Sequence, residues 1–395
     1  MELTREQEQG LKIAIERYLN KEKYTVISGY AGTGKSTLVK FIISALSSKG
    51  INPDVDVCYT SFTGKACQVL QKKGNKNVST LHKLLYESFP KPNGGFYRRP
   101  KPALGYKIIV VDEVSMVPKS LIDLLFSHKD LYILCLGDSM QLPPISKEED
   151  NHLLDKPDIF LDKIMRQAEQ SEIIRLSKKI REGETFEEEF KKGNEVQIYS
   201  MKELNTGMLT WADQILTATN ATRISVNSKI RDMLGRGTMP ENGDKIICLR
   251  NYWDIFESPL VNGTIGYLEN CSESCCSIPP RADKNDIKEI PLVIGDFITD
   301  MGEIIPNLNM DKNCLLYGEK TLDWKTEYTL NKSFKNFSIP KEFTYGYAIT
   351  YWKSQGSEWD KVLVIEEKFP YDKETHKKAL YTACTRAVEK LVWVR

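Results

Sequence analysis

No run of this chain approaches the roughly 20 apolar residues of a membrane-spanning helix, which excludes an ordinary helical membrane protein. The charged opening Met1-Glu2-Leu3-Thr4-Arg5-Glu6 lacks the apolar core of a signal peptide, so the expectation is a non-secreted, cytosolic protein. Even cysteine spacing is also missing. The nine cysteines, with Cys58, Cys135 and Cys248 inside predicted strands, fit reduced thiols rather than a disulfide framework. Cys271, Cys275 and Cys276 cluster but lack a fourth ligand, so a loop with incidental cysteines is expected rather than zinc. Acid is nearly absent from one stretch: between Val57 and Val111, Glu87 stands alone against ten lysines and arginines. The net charge of +1 argues for no partner, whereas this segregation has the form of a polyanion track. A solvated basic face is the alternative reading of the same charges. No nuclease signature is present.

What is present begins at Gly29. Residues Gly29-Tyr30-Ala31-Gly32-Thr33-Gly34-Lys35-Ser36 form a complete phosphate-binding loop. An apolar run, Tyr24–Ser28, precedes them as a predicted strand, and Lys35–Leu46 follows as a predicted helix. Glycines let backbone N–H groups turn onto phosphate oxygens, and the helix start adds a fixed partial positive charge. Lys35 is then placed for the β- and γ-phosphates and Ser36 for Mg²⁺, so the chain is expected to bind a nucleoside triphosphate. A second predicted strand, Tyr106–Val111, runs into Asp112-Glu113-Val114-Ser115-Met116. Asp112 is the candidate Mg²⁺ ligand and Glu113 the candidate for activating water; an ordinary helix cap is the bland alternative. A third strand, Leu131–Leu136, ends in Gly137-Asp138-Ser139-Met140-Gln141-Leu142-Pro143-Pro144. Three motif-bearing strand ends on one edge suit an open α/β sheet.

The acid-poor stretch has its own organisation. Ser61-Phe62-Thr63-Gly64-Lys65-Ala66 follows a predicted strand, Val55–Tyr59, and Ser79-Thr80-Leu81-His82-Lys83 opens a helix-like piece. Hydroxyls and amides suit phosphate contacts, and Phe62 suits base stacking. Phe89–Pro100, with Asn93-Gly94-Gly95 at its centre and Phe96, Tyr97, Arg98 and Arg99 after it, predicts a small basic hairpin confined by its prolines to an exposed edge. A disordered basic loop is the alternative.

Past residue 200 the pattern starts a second α/β unit without a phosphate loop. Gln214–Thr219, Lys361–Glu366 and Leu391–Val394 read as strands, Arg223–Leu234 and Thr375–Val388 as helices, and Glu182–Glu189 as one solvated helix face. Arginines occur in Met165-Arg166-Gln167 and in Tyr381-Thr382-Ala383-Cys384-Thr385-Arg386-Ala387. A permanently charged planar guanidinium suits charge building on a γ-phosphate, although a surface or structural arginine is the usual case.

In this order the segments resemble the motifs of superfamily 1 helicases, in the branch of RecD-like and Dda-like DNA helicases. Leu3-Thr4-Arg5-Glu6-Gln7 resembles the adenine-sensing Q motif, which implies that Gln7 contacts the base. Gly29–Ser36 resembles motif I, with Gly29, Ala31, Gly32, Thr33, Gly34, Lys35, Ser36, Thr37 and, further on, Glu358 as implied nucleotide contacts. Ser61–Ala66 resembles motif Ia and Asp112–Met116 motif II. Gly137–Pro144 is similar to motif III, implying that Gln141 senses the γ-phosphate. Arg166 and Arg386 fall in motifs IV and VI, implying arginine fingers. Thr350–Glu358 resembles motif V. The implied DNA contacts are Ser61, Phe62, Thr63, Lys65, His82, Phe96, Tyr97, Asn220, Trp352 and Lys353. The chain departs from the family at Trp352, where histidine is usual, and at Phe62, where proline is usual.

The expected architecture is therefore α/β: two RecA-like P-loop domains with a β-hairpin insertion and a small β-rich, SH3-like insertion. The boundaries are 1–85, 107–150, 151–268 and 341–395 for the RecA-like parts, 86–106 for the hairpin and 269–340 for the β-rich piece. Within the last, Ile290–Phe297, Cys314–Gly318 and Glu327–Leu330 read as short strands. The resemblance implies an ATP- and Mg²⁺-dependent DNA helicase that travels 5′→3′ on single strands and opens forked DNA. It further implies a monomer in a bacterial or phage-infected cell, with replication or repair proteins as possible partners. Two alternatives share these motifs: a nucleic-acid-stimulated ATPase that clamps or remodels protein–DNA complexes, and an RNA helicase.

Overall fold

Near-continuous apolar runs such as Ile108–Val111 (Ile-Ile-Val-Val) are what a strand covered on both faces requires. Six strands form a parallel sheet in the order Val78–Thr80, Val57–Ser61, Ile108–Val111, Tyr132–Gly137, Tyr24–Gly29, Ile159–Leu161, with the half-buried Val-Ser-Thr strand at one edge. The computed structural model describes residues 3–90, 96–143, 150–165, 170–252, 260–279, 289–300, 302–334, 337–368 and 372–395. It divides into two units, one of Met1–Glu87, Arg99–Ala218 and Thr350–Arg395, the other of Ser88–Arg98 and Thr219–Ile349.

The first unit holds the six-stranded sheet with a core on each face. One face packs Ile27, Leu38, Ile42, Leu46 and Leu134 with the first two helices; the other packs Val26, Leu85, Ile109, Leu121 and Leu125. The first helix, Arg5–Leu19, starts at Thr4, whose hydroxyl accepts from Gln7 N while the Gln7 amide oxygen accepts from Thr4 N. This reciprocal cap fixes the helix entry. A second parallel set runs Gln214–Thr217, Trp359–Ile365, Ala387–Val394, Val196–Tyr199. Both parallel sheets match the α/β expectation.

The second unit is built differently. Its antiparallel sheet orders Ile304–Asp311, Glu289–Thr299, Ile265–Ser277, Lys245–Cys248 and Phe343–Tyr345 around Ile246, Phe297, Met310 and Phe343. Tyr86–Pro90 and Phe96–Pro100 pair as a two-stranded hairpin, and its Ser88–Arg98 part packs with this unit. The Asn93-Gly94-Gly95 turn lies outside the described residues.

Several local expectations are corrected. Cys314–Gly318 is not a strand: Lys312–Tyr317 is helical, begun by Asp311 Oδ1 accepting from Asn313 and Cys314 N at 3.0 and 3.2 Å. Glu327–Leu330 lies inside a helix, Trp324–Ser333, capped by Asp323. In both, an aspartate cap outweighs a short apolar run that carries no decisive period. Cys271, Cys275 and Cys276 sit on the strand Ile265–Ser277 rather than in a loop. Glu182–Glu189 is not one helix face, because Gly183 ends the helix Glu172–Glu182 in a left-handed conformation and a separate turn spans Glu187–Phe190. The helix expected to reach Val388 stops at Cys384, and Ala387 already starts the last strand.

Asp244 organises one end of the second unit. Fully buried, it accepts from Arg231 Nε (3.1 Å), Arg236 Nη1 (2.6 Å), the Tyr347 hydroxyl (2.9 Å) and Glu241 N (2.8 Å). The Arg231 guanidinium also lies 4.4 Å from the centre of the Tyr345 ring. Asp244→Ala strands two arginines around an emptied acceptor site and is expected to cost about 3–5 kcal/mol, measured by chemical denaturation. A loss under about 1 kcal/mol would show that water replaces the carboxylate at little cost.

Candidate nucleotide site and strand contacts

The parallel register sets the site. Tyr24–Gly29, Tyr132–Gly137 and Ile108–Val111 are neighbours, so the loops opening at Gly29, Asp138 and Asp112 leave the sheet at the same edge. The phosphate loop turns through Gly34 at φ +83°, and the helix Lys35–Ser47 begins there. A Cβ on Gly34 would stand 2.4 Å from both Gln7 Nε2 and Met165 Sδ. Gln7 is fully buried, its Nε2 donating to the carbonyls of Thr33 and Gly34, both at 3.3 Å. The loop is therefore held from behind by the first helix. Lys35 Nζ donates to Gly29 O (2.6 Å) and Tyr30 O (3.1 Å). Ser36 is exposed at the helix start and Thr37 half-buried behind it. Tyr30 lies under Arg181, whose guanidinium carbon is 3.8 Å from the ring centre, and burial raises the Tyr30 phenol above its ordinary pKa.

Asp112 is no helix cap. Its Oδ1 accepts from Glu113 N at 3.0 Å, and Glu113 itself adopts φ 54°, a conformation a non-glycine residue adopts only at a cost. Burial, then the charge of Glu113, pushes the Asp112 carboxyl up to about 6. A dication would relieve both penalties, and with the Ser36 hydroxyl this carboxylate offers the hard oxygen donors that Mg²⁺ takes. The Glu113 carboxylate meets Gln141. With the amide oriented to suit its neighbours, Gln141 donates to Glu113 Oε2 at 3.2 Å and accepts from Arg386 Nη2 at 3.2 Å.

Arg386 is only 2% exposed. Its Nε donates to Thr382 O (3.1 Å), Nη1 to Ser357 O (3.2 Å) and Nη2 to Thr385 Oγ1 (3.1 Å). The structure thus brings Glu113, Gln141 and Arg386 into one hydrogen-bonded chain. Arg166 lies outside the described residues, and Glu358 is half-buried just after Ser357.

The residues expected on DNA are placed unevenly. Ser61 is buried, its hydroxyl donating to Asp112 O at 3.2 Å. Thr63 caps the helix Gly64–Lys72, accepting from Ala66 N, and its hydroxyl donates to Gly356 O at 3.3 Å. Phe62 is half-buried against the core, its ring centre 5.4 Å from the buried His82 ring. Trp352 and Lys353 open a short 3₁₀ turn, both half-buried. Asn220 is exposed in the first turn of Asn220–Met233. Tyr97 stacks on Phe89 within the hairpin, centres 5.2 Å apart. Phe96 begins the second hairpin strand and Lys65 takes the second position of its helix; their side chains lie outside the described set.

Comparison with known proteins gives this arrangement its family. The profile described as an AAA domain matches residues 2–200, half of the chain, and a UvrD-like helicase C-terminal domain matches 345–394. The ATP-dependent DNA helicase dda of Enterobacteria phage T4 is 31% identical over 183 residues, 44% of this chain and 40% of that one. The chain belongs to superfamily 1B, the Pif1- and RecD-like helicases. The RecD2 DNA helicase of Deinococcus radiodurans is 32% identical over 166 residues, 41% of this chain and 22% of that one. These alignments span less than half the length of either relative. A solved structure of two coordinating Pif1 helicases that unwind forked dsDNA superposes with a TM-score of 0.52 at 18% identity. It covers 100% of this chain and 92% of that one, a likeness of fold.

Sequence reasoning assigns no role to Tyr381, Asp138, Thr382 or Arg181. Tyr381 stands in the same sequence segment as Arg386, but its partners Ala31 and Asp138 are far off in sequence.

Gly34 separates backbone strain from close approach. Gly50, at φ +89° with open space where a side-chain carbon would stand, should lose about 1–2 kcal/mol on change to Ala. Gly34→Ala is expected to lose clearly more, because two side chains must also move. Equal losses in denaturant melts would show that Gln7 and Met165 yield freely.

Proposed function

We propose that this chain is an ATP-dependent DNA helicase that moves 5′→3′ on single-stranded DNA and separates strands at a fork. The observation that carries this reading is the chain Glu113–Gln141–Arg386 beside a complete phosphate loop. Family membership and the fork-unwinding Pif1 relative of similar fold support it.

The residues divide the work. Backbone amides of Gly32 to Ser36 and Lys35 hold the triphosphate, with Gln7 bracing the loop and available to the base. Ser36 and Asp112 would hold Mg²⁺, which would draw charge from the phosphates. Glu113 orients and deprotonates water. Gln141, touching both Glu113 and Arg386, reports whether the reacting phosphate is present. Arg386 meets the charge that builds on the transferring group, and Arg166 is assigned the same task. Loss of the γ-phosphate removes these contacts and lets the two RecA-like parts change their grip on the strand. Phe62, Thr63, Trp352, Lys353 and Asn220 are assigned to that strand, and the hairpin of Phe89 and Tyr97 to the point where the strands part.

Two sets of variants test this. Glu113→Gln should bind ATP normally and lose turnover by about 100-fold or more. Arg386→Ala should lower kcat by about 10³-fold with little change in ATP affinity. Losses shared equally between binding and turnover in either variant would assign it a structural role instead.

Fork unwinding tests the activity itself. Duplexes with a 5′ tail should be opened, and those with only a 3′ tail should not. Shortening residues 92–98 to a two-residue turn should cripple unwinding while leaving DNA-stimulated ATPase intact. No unwinding of either substrate, with ATPase retained, would favour a clamp or remodeller, and stimulation by RNA alone would favour an RNA helicase.

A further inference from the structure

Tyr381 is 1% exposed, yet its hydroxyl is spent entirely on two loops of the nucleotide site. It accepts from Ala31 N, inside the phosphate loop, at 2.8 Å. It donates to Asp138 Oδ2, just past the strand Tyr132–Gly137, at 2.7 Å. Asp138 is itself 2% exposed and fixed by Met140 N at 2.9 Å. The next residue repeats the pattern: Thr382 Oγ1 accepts from Leu142 N at 2.9 Å, and Leu142 O takes the Gln355 amide.

These bonds hold the last turn of the helix Lys373–Cys384. Arg386 follows two residues after that helix end, and its Nε donates back to Thr382 O. We infer that Tyr381 is a positioning residue: its hydroxyl pins the arginine-bearing turn to the phosphate loop, so that Arg386 reaches Gln141 and the reacting phosphate in register. The inference rests on Arg386 acting in turnover as proposed above.

A helix end bearing a long arginine has freedom to slide by about 1 Å, and misplacement on that scale costs about 100-fold in a well-aligned reaction. Ring packing alone does not remove that freedom, because apolar contacts are non-directional. A hydroxyl that accepts from Ala31 and donates to Asp138 is directional at both ends, and it bridges two loops that leave neighbouring strands. Phosphate binding acts on the loop that includes Ala31, so the same bond reports loop position to the arginine.

Tyr381→Phe keeps the ring and deletes the bridge. It is expected to lower kcat for ATP about tenfold, with KM for ATP and affinity for single-stranded DNA within about twofold of the parent. The decisive measurement is a double-mutant cycle: in an Arg386→Ala background, Tyr381→Phe should lower kcat no further. A kcat loss of the same factor in both backgrounds would overturn the inference and mark the hydroxyl as merely structural, as would an unchanged kcat in the single variant. If Tyr381→Phe does not fold, Asp138→Asn, which weakens the other end of the bridge, is put through the same cycle with the same readings. Arg386→Ala with normal kcat overturns the arginine assignment and this inference together, whereas a normal kcat in Tyr381→Phe beside a crippled Arg386→Ala overturns this inference alone.

Discussion

Arg386 has been taken out of water, and a desolvated guanidinium is tolerable only when its donors are met. Carbonyls of Thr382 and Ser357, the Thr385 hydroxyl and the Gln141 amide meet them. Much of the first unit follows from that requirement. Ser357 must bring its carbonyl in from the segment after the Trp352 turn, and the helix Lys373–Cys384 must end where it does. Gln141 must lie between a cation and the Glu113 carboxylate. The two parallel sheets can differ in length and strand order, but the loops at their edges are bound by one charge.

The legible part of this protein is the part where chemistry and backbone coincide. Gly29–Ser36 announces itself because only glycines allow the turn at Gly34, and Asp112-Glu113 because an acid pair at an apolar strand end has few other uses. Parallel strands can be read from continuous apolar runs, since both their faces are covered. The second unit resists. Its strand Ile265–Ser277 is mostly polar along its outer half, so no period of two stands out, and its cysteines resemble loop residues. Two of its helices read as strands because a single aspartate cap, not an apolar period, decides them. Tyr381 is visible as a letter in a motif, but its partners, Ala31 and Asp138, lie 350 and 243 residues away, distances that only the folded chain closes.

The second unit relies on a comparable device for a different end. Asp244 gathers Arg231, Arg236 and Tyr347 beside a sheet that has its own apolar core. Buried ionic clusters add little net stability over apolar packing, but they penalise every arrangement that leaves a charge unpaired. The register is irregular at Glu269/Ser272 and Gly295/Phe297, and any pairing that parted Asp244 from its arginines would carry that penalty.

Lys35 is held by its own loop. Its ammonium is engaged by the carbonyls of Gly29 and Tyr30, so an arriving anion must outcompete two backbone dipoles before it gains the lysine. A triphosphate does so readily, because its charge and the loop amides act together. The lysine thus favours an anion whose charge several loop amides meet at once.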